Sequence, residues 1–323
     1  MGKKSKIVSL KEAMQEVQDG DCLVLGGVVE DRRPMAATYE LVRQGRKNLI
    51  ILAECSLAED ILVGAGCVSA YRGTYSAIGA FGISPSIKRM AEAGEIVIDD
   101  IGHTDVCLGV VAAMAGAPFI ASRTTFGTDV LNPTFDNVEK IRKLARNKES
   151  LPAKKYVLME DPFFGTGTVQ LHPAMKIDTF ICHVQVAGDQ GTVRIEGSLV
   201  FDHFAVHAAK KVIITAEQIV PEEYLRREPN RNQIPCTSVD MIVEVPWGSH
   251  PGQLLNFYDM DIPFLMDYVG KAKTAEGFKT WADNWIYGLK DHEAYLDKLG
   301  ASRLEKMRSL PPFGYRPRKK GGA

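Results

Sequence analysis

Short apolar runs alternate with amphipathic segments along the first third of the chain. The runs at residues 22–25, 49–53, 68–71 and 96–98 have the length and composition of buried strands. Helices are predicted at residues 9–17, 34–43, 85–93 and 106–115. The signals are apolar residues at helical spacing or start signals such as the capping box at Ser9. This alternation predicts βαβ units, and therefore an α/β fold with an open, mostly parallel sheet flanked by helices.

The rest of the chain adds strands, a hairpin and a helical C-terminal segment. Strand-like runs at 180–186 and 192–195 flank Gly188-Asp189-Gln190-Gly191, a connection typical of a hairpin, and further runs lie at 211–215 and 241–245. From Thr274 onward, apolar residues recur at helical spacing: Trp281, Trp285, Leu289, Tyr295 and Leu299. We predict one α/β domain at residues 1–273, a C-terminal helical arm packed on it at 274–310, and a tail at 311–323.

Composition and charge indicate which binding partners and which cellular compartment are expected for this chain. The 39 Lys and Arg residues balance 40 Asp and Glu residues, so net charge gives no reason to expect nucleic acid or an anionic membrane as partner. The chain has no secretory-type N-terminus and no apolar run long enough to span a membrane. Its six cysteines are scattered without a CxxC pair, which favours a reducing cytoplasm.

The most informative segment is a strand that ends in Gly26-Gly27 before a charged loop and the helix start at Pro34. In open α/β sheets, ligands bind at the carboxyl ends of strands, where glycines let backbone N–H groups approach a developing oxyanion. The segment therefore predicts a ligand site. Glycine pairs also punctuate ordinary turns, and that alternative stays open on this segment alone.

Ordered sequence blocks extend beyond this segment across the whole chain. They lie at residues 26–34, 40–45, 191–195, 208–210, 217–219, 226–235, 246–251, 289–296 and 299–304. Two of the longer blocks are Arg226-Arg227-Glu228-Pro229-Asn230-Arg231-Asn232-Gln233-Ile234-Pro235 and Pro246-Trp247-Gly248-Ser249-His250-Pro251. In this order the blocks resemble the α subunit of family I coenzyme A transferases, of the glutaconate type.

The resemblance implies an enzyme subunit that moves CoA between an acyl-CoA and a carboxylic acid, with a dicarboxylic acid as the expected type. In this family the covalent intermediate is a glutamyl-CoA thioester on the β subunit, and the active site lies where the subunits meet. The implied partners are that β subunit in an (αβ)n hetero-oligomer, an acyl-CoA and a carboxylic acid. No cofactor is implied, because the CoA thioester is itself a substrate.

The resemblance also suggests candidate site residues. It places Gly26, Gly27 and Val28 toward the reacting carbonyl, and it makes Arg32 or Arg33 available for a substrate carboxylate, which a planar guanidinium suits. The alternative for the two arginines is an ion pair at the helix start with Asp31 or Glu30. The full candidate set for oxyanion and substrate binding is Gly26, Gly27, Val28, Glu30, Asp31, Arg32, Arg33, Ser76 and Arg123.

Two residues after the strand at 49–53 are candidate nucleophiles within this chain. Glu54 could mimic the partner's glutamate, because the α and β subunits of this family share a fold. The Ser-Glu-x-Gly signature of the β subunit is absent here, so a polar strand end explains Glu54 equally well. Cys55 has no basic neighbour in sequence to lower its pKa, which favours a structural, buried thiol.

Two stretches depart from the glutaconate type and indicate a different acid specificity. Residues 74–80, which contain Ser76, replace an expected Asn-Ser-Gly stretch, and residues 122–130 bring in Arg123 and Asp129. A bulkier or more apolar acid than glutaconate fits these changes.

Other signals are better explained by structure than by ligand binding. His203 and His207 stand four positions apart on a predicted helix, but they lack a third ligand, so we predict no metal site. Residues 164–168 lack the Lys-Ser/Thr end of a P-loop and are typical of a turn. Trp281 and Trp285 fit a core stripe better than a ligand platform.

Two alternatives to CoA transfer remain at this stage. Relatives of the fold hydrolyse acyl-CoA thioesters, open rings of CoA-bound steroid remnants or decarboxylate glutaconyl-type thioesters, depending on the partner's nucleophile. The other alternative is a regulatory protein that binds acyl-CoA without catalysis as a homo-oligomer.

Overall fold

The structure is a computed structural model that describes residues 5–317, apart from the side chain of Cys55. The strands in this range are β1 Cys22–Leu25, β2 Leu49–Cys55, β3 Val68–Ser76, β4 Val97–Asp100, β5 Phe119–Ser122, β6 Val157–Glu160, β7 Thr168–Pro173, β8 Ile177–Gly188, β9 Val193–Arg194, β10 Ala209–Val220 and β11 Met241–Glu244. The α-helices are α1 Leu10–Gln15, α2 Met35–Arg43, α3 Leu57–Gly64, α4 Pro85–Glu92, α5 His103–Met114, α6 Val138–Leu144, α7 Asp202–Ala208, α8 Glu222–Arg226, α9 Ile262–Lys271, α10 Ala275–Ala282, α11 His292–Leu299 and α12 Ala301–Met307.

The main sheet has the order β11-β10-β8-β1-β2-β3-β4, and every neighbouring pair along it is parallel. The short strand β9 pairs antiparallel with β8, as the glycine-rich connection at 188–191 predicts. The predicted fold class, an open and mostly parallel sheet flanked by helices, is confirmed.

The order of strands changes direction at β1. From β1 the chain adds β2, β3 and β4 outward on one side, and later adds β8, β10 and β11 outward on the other. Such a topological switch point leaves a crevice at the carboxyl ends of the two central strands, where open α/β sheets bind their ligands. In this chain the switch point lies between β1 and β8, directly beside Gly26.

Both faces of the main sheet are covered by hydrophobic packing. Along β1, Leu23 and Leu25 join one buried cluster, whereas Cys22 and Val24 join the cluster on the opposite face. Successive side chains of a strand point to opposite faces, so a continuous apolar run is what a doubly covered parallel strand requires. The sequence of β1 thus matches a strand that is covered on both faces.

The C-terminal helices pack into the main core. Trp281 on α10 is fully buried, and its ring lies 4.7 Å from that of Tyr268 and 5.9 Å from that of Phe264. The prediction that the tryptophan stripe is core is therefore confirmed for Trp281. The division of the chain at residues 273 and 274 stays a prediction, and residues 318–323 of the predicted tail lie outside the described residues.

A small antiparallel sheet, β5-β7-β6, is not predicted by the sequence pattern. It packs beside α5, and its β6–β7 turn contains residues 164–167 of the predicted turn, while Thr168 begins β7. Helix α3 is also absent from the predicted elements, although Ser56 and Glu59 supply a capping box like the confirmed one at Ser9. Within residues 5–317, no helix is long and apolar enough to cross a membrane.

Candidate functional site

The carboxyl ends of β1, β2 and β3 form one continuous surface, which we call the site edge. Gly27 follows β1, Glu54 lies near the end of β2, and Ser76 ends β3. Non-glycine residues with positive φ occur at all three ends, among them Val29 (50°), Ala53 (82°) and Tyr75 (42°). Left-handed conformations at such residues are strained, and strain of this kind concentrates at functional sites.

The two glycines after β1 are required by close packing. A Cβ on Gly26 would lie 2.4 Å from the Cβ of Cys182 on β8, a distance that only glycine avoids. Gly27 has a φ of +86°, and a Cβ there would lie 2.4 Å from the carbonyl oxygen of Asp31. The loop after β1 therefore turns sharply against β8, and it needs glycine at both positions.

The backbone N–H groups of this loop already have acceptors inside the chain. Gly26 donates to the carbonyl oxygen of Ile181 (2.8 Å), and Gly27 donates to Oδ2 of Asp202 (3.0 Å). The N–H of Val28 donates to a carbonyl oxygen within the same loop (3.0 Å). Direct oxyanion binding by these three donors stays a prediction, and in this arrangement it requires one of them to change partner.

Arg32 is fully buried and ion-paired with a residue far away in sequence. Its Nη1 lies 2.9 Å from Oδ2 of Asp202, and neither side chain is exposed. Its Nη2 donates to the backbone carbonyl of Ser198, and Asp31 lies farther away, at 3.9 Å from Nε. Asp202 therefore ties the Arg32 side chain and the Gly27 backbone together.

Arg33 is also turned into the protein. Its guanidinium donates to Oε1 of Glu59 (3.1 Å) and to the carbonyl oxygens of Leu25 (2.7 Å) and Val29 (3.1 Å). A direct contact of Arg32 or Arg33 with substrate stays a prediction, and these internal contacts do not favour it. The ion-pair alternative predicts Asp31 or Glu30 as partners. Asp31 does lie 3.9 Å from Arg32, but the nearer carboxylates are Asp202 for Arg32 and Glu59 for Arg33.

Glu54 is buried at the site edge. Its Oε1 accepts a hydrogen bond from the N–H of Val29 (3.3 Å) and lies 3.9 Å from Nη2 of Arg33. Only 6% of its surface is exposed. Among the described residues its Oε2 has no hydrogen-bond partner. The carboxylate thus supports the loop after β1, while its nucleophilic role stays a prediction.

Three glutamates surround the single guanidinium of Arg33, and we call Glu30, Glu54 and Glu59 with this arginine the carboxylate cluster. Burial raises the pKa of Glu30 to about 8, and Arg33 only partly offsets this effect. Burial also raises the pKa of Glu59, again against the favourable charge of Arg33. Burial in this cluster therefore favours the protonated form of Glu30.

The raised pKa of Glu30 predicts a pH-dependent stability. Unfolded Glu30 loses its proton near pH 4.5, whereas folded Glu30 holds it to about pH 8, so this residue lowers stability as pH rises between these values. Glu30→Gln removes the effect. We expect the free energy of unfolding of Glu30→Gln, relative to that of the wild type, to rise by on the order of 2–4 kcal/mol between pH 5 and pH 8.5, measured by urea unfolding. An advantage that is the same at both pH values would contradict the buried, protonated state.

Ser76 and Arg123, the predicted specificity residues, have different surroundings. Ser76 pairs in register with Cys55 across the ends of β3 and β2, and its hydroxyl is buried. Arg123 follows β5 and donates to the carbonyl oxygens of Thr166 (2.8 Å) and Thr168 (2.9 Å) in the β6–β7 hairpin. The structure thus brings Ser76 to the site edge and makes Arg123 a support of the small sheet, and their specificity roles stay predictions.

Two residues of the site are missing from the candidates that the sequence provides. Glu59 could have been found from the Ser56–Glu59 capping box, which marks the start of α3. Asp202 has no local signal, because its partners lie 170 and 175 positions earlier in the chain.

In the described part of the chain, no group of three or more His, Cys, Asp or Glu residues could hold a metal ion. The Cys55 side chain, the other candidate nucleophile, falls outside the described residues.

Comparisons with known proteins cover almost the whole chain. The family model described as coenzyme A transferase matches residues 7–245. The A subunit of glutaconate CoA-transferase from Acidaminococcus fermentans is 36% identical over 314 residues, which cover 96% of this chain and 97% of that protein. For the A subunit of 3-oxoadipate CoA-transferase from Pseudomonas knackmussii, the identity is 30% over 309 residues, covering 93% and 100%. The crystal structure of the A. fermentans glutaconate enzyme matches with a TM-score of 0.91 at 35% identity, covering 97% of this chain and 99% of that chain.

Proposed function

Because the chain belongs to the coenzyme A transferase family and is a CoA-transferase subunit of the α type, we propose that it forms one half of a shared active site. The other half is a β subunit whose glutamate carries the covalent intermediate. The relatives are named as A subunits of their enzymes, which supports the presence of such a partner.

The observation that carries this proposal is the closed arrangement of the site edge. Its strand ends carry strained, positive φ angles, yet Glu54 is buried and accepts a hydrogen bond from the Val29 backbone. The guanidinium groups of Arg32 and Arg33 point inward to protein carboxylates. Among the described side chains of this edge, none is an exposed carboxylate ready to attack a thioester. A second chain that brings its own glutamate completes the site.

The proposed reaction needs one carboxylate nucleophile and no cofactor. The partner's glutamate attacks the thioester carbonyl, the C–S bond breaks and the CoA thiolate leaves, which forms a mixed anhydride. The thiolate then attacks the glutamyl carbonyl, so that glutamyl-CoA forms and the original acid is released. The incoming acid runs these steps in reverse and takes the CoA. The loop after β1 packs against the reacting groups and excludes water, which would otherwise hydrolyse the anhydride.

We propose a dicarboxylic acid as the CoA acceptor or donor. The names of the two relatives refer to glutaconate and 3-oxoadipate, which are both dicarboxylates. The hydrolase, decarboxylase and non-catalytic alternatives are not favoured, since both of these relatives are named as transferases. A cytoplasmic location also belongs to the proposal, and the free, buried thiols of Cys22, Cys67 and Cys182 support it.

Glu54→Gln tests which chain carries the nucleophile. The amide keeps the size of the side chain and an oxygen that can accept from Val29, so the loop after β1 keeps its support. We therefore expect the reconstituted enzyme to retain most of its CoA-transfer rate, within about threefold, and to form the same covalent adduct.

The matched variant is the same change at the partner's nucleophilic glutamate, which should abolish the adduct. Loss of the adduct on Glu54→Gln, with the partner's glutamate intact, would place the nucleophile in this chain and overturn the proposed division of labour.

A further inference from the structure

An exposed apolar face lies on the β6–β7 hairpin of the small sheet. Its members are Val157, Leu158, Met159, Phe163 and Phe164, which we call the hairpin face. The two phenylalanines in the turn are each 85% exposed. Consecutive residues of a strand point to opposite sides, so three successive exposed apolar residues leave both sides of β6 uncovered. A single chain rarely leaves such a strand bare.

The hairpin face also has an open backbone edge. Within the described residues, β6 pairs with β7 and ends the order β5-β7-β6. An edge strand that is flat and apolar invites another chain, and natural proteins usually blunt such edges with charge, proline or a covering element. Along β6 the one charged residue is Glu160, at its end. The strand is therefore suited to be covered in an assembly.

The position of the hairpin links it to the site edge. Ser122, at the end of β5, pairs with Gln170 of β7, so the hairpin turn lies at this end of the small sheet. The chain continues from Ser122 to Thr124, whose hydroxyl donates to Asp105 (2.8 Å), and to Thr125, which adjoins Gly102. Gly102 follows β4, the neighbour of β3. The turn therefore lies on the same side of the molecule as the ends of β1, β2 and β3.

We propose that the hairpin face docks onto the β subunit that brings the catalytic glutamate, an inference that rests on the proposed function. A partner that places a glutamate at the site edge must cover the adjoining surface, which continues through β4 to this hairpin. Two fully buried phenylalanines contribute on the order of 300 Å². That is a substantial part of the roughly 800 Å² that each side of a stable interface buries. Phe163 and Phe164 are the anchors, and the complementary surface on the partner is an apolar cleft.

The double variant Phe163→Ser/Phe164→Ser tests the docking. Both side chains are solvent-exposed in the single chain, so the variant should keep the circular dichroism spectrum and melting temperature of the wild type. We expect its affinity for the co-expressed β subunit, measured by titration and size exclusion, to fall at least tenfold. The control is Met266→Ser on α9, which removes another exposed apolar side chain (62%) outside the hairpin and should bind like the wild type.

Three results would overturn the docking. A double variant that binds the β subunit as tightly as the wild type would show that the hairpin lies outside the interface. A homodimer of this chain that the double variant dissolves, with binding to the β subunit intact, would assign the face to a second copy. If no β subunit binds the wild-type chain, both the proposed heteromer and its docking surface are wrong. The first two results would contradict only the docking surface and would not affect the proposed heteromer.

Discussion

Gly27→Ala will lower the CoA-transfer rate of the assembled enzyme on the order of 100-fold or more. The new Cβ would lie 2.4 Å from the carbonyl oxygen of Asp31, at a φ of +86° that alanine disfavours. The loop after β1 must then move, and its contacts with Asp202 and Glu54 move with it. Because displacements of about 1 Å cost catalysis heavily, turnover should fall even where the complex still assembles.

Gly45→Ala is the matched control for this prediction. Gly45 ends α2 with a φ of +67°, but a Cβ there meets nothing within 4 Å. This variant should lose about 1 kcal/mol of stability through backbone strain and keep its transfer rate. Initial rates with purified complexes check both variants. A Gly27→Ala enzyme with the wild-type rate would show that the loop after β1 has no part in the active site.

Arg32→Met will destabilise the chain by about 3–5 kcal/mol. The substitution leaves Asp202 buried without its guanidinium partner, and an unpaired buried carboxylate is costly. Unfolding in urea measures the loss. A direct role of Arg32 in substrate binding would instead raise KM with little change in stability, so this variant separates the two roles.

The double variant Arg32→Met/Asp202→Leu sharpens the test. Replacing both partners of a buried ion pair by apolar residues is often neutral or stabilising. The double variant should therefore regain most of the free energy of unfolding that Arg32→Met loses. Activity should stay low, because the Gly27 N–H then loses its acceptor and the loop its anchor. Failure to recover stability would contradict the ion pair as the source of the effect.

Much of the fold could be predicted because its determinants are local. The apolar runs of β1 and β2, the glycine-rich β8–β9 connection and the capping box at Ser9 each carry their own signal within a few residues. The small sheet was not predicted, because its strands lack such a local signal. β6 has three successive apolar residues that are exposed, and β5 also begins with three successive apolar residues, so neither shows the alternation of apolar and polar residues that marks a strand at a protein surface.

The sequence predicts where the candidate site lies, but it does not predict the internal contacts of the residues there. Gly26 and Gly27 follow a buried strand, and strand ends of this fold class bind ligands, so the site edge was accessible from the sequence. The resemblance predicts that the guanidinium groups of Arg32 and Arg33 are available to substrate. Their actual partners depend on how distant segments meet: Asp202 comes from α7, 170 positions away, and no local pattern indicates that contact.

The most direct test of the central claim is intact mass spectrometry of the complex between this chain and the product of its neighbouring gene, after incubation with a panel of acyl-CoAs. The account predicts a CoA adduct on the partner subunit that a free dicarboxylate discharges, with this chain unmodified. A CoA adduct on this chain, or release of free CoA or carbon dioxide without any adduct, would contradict it.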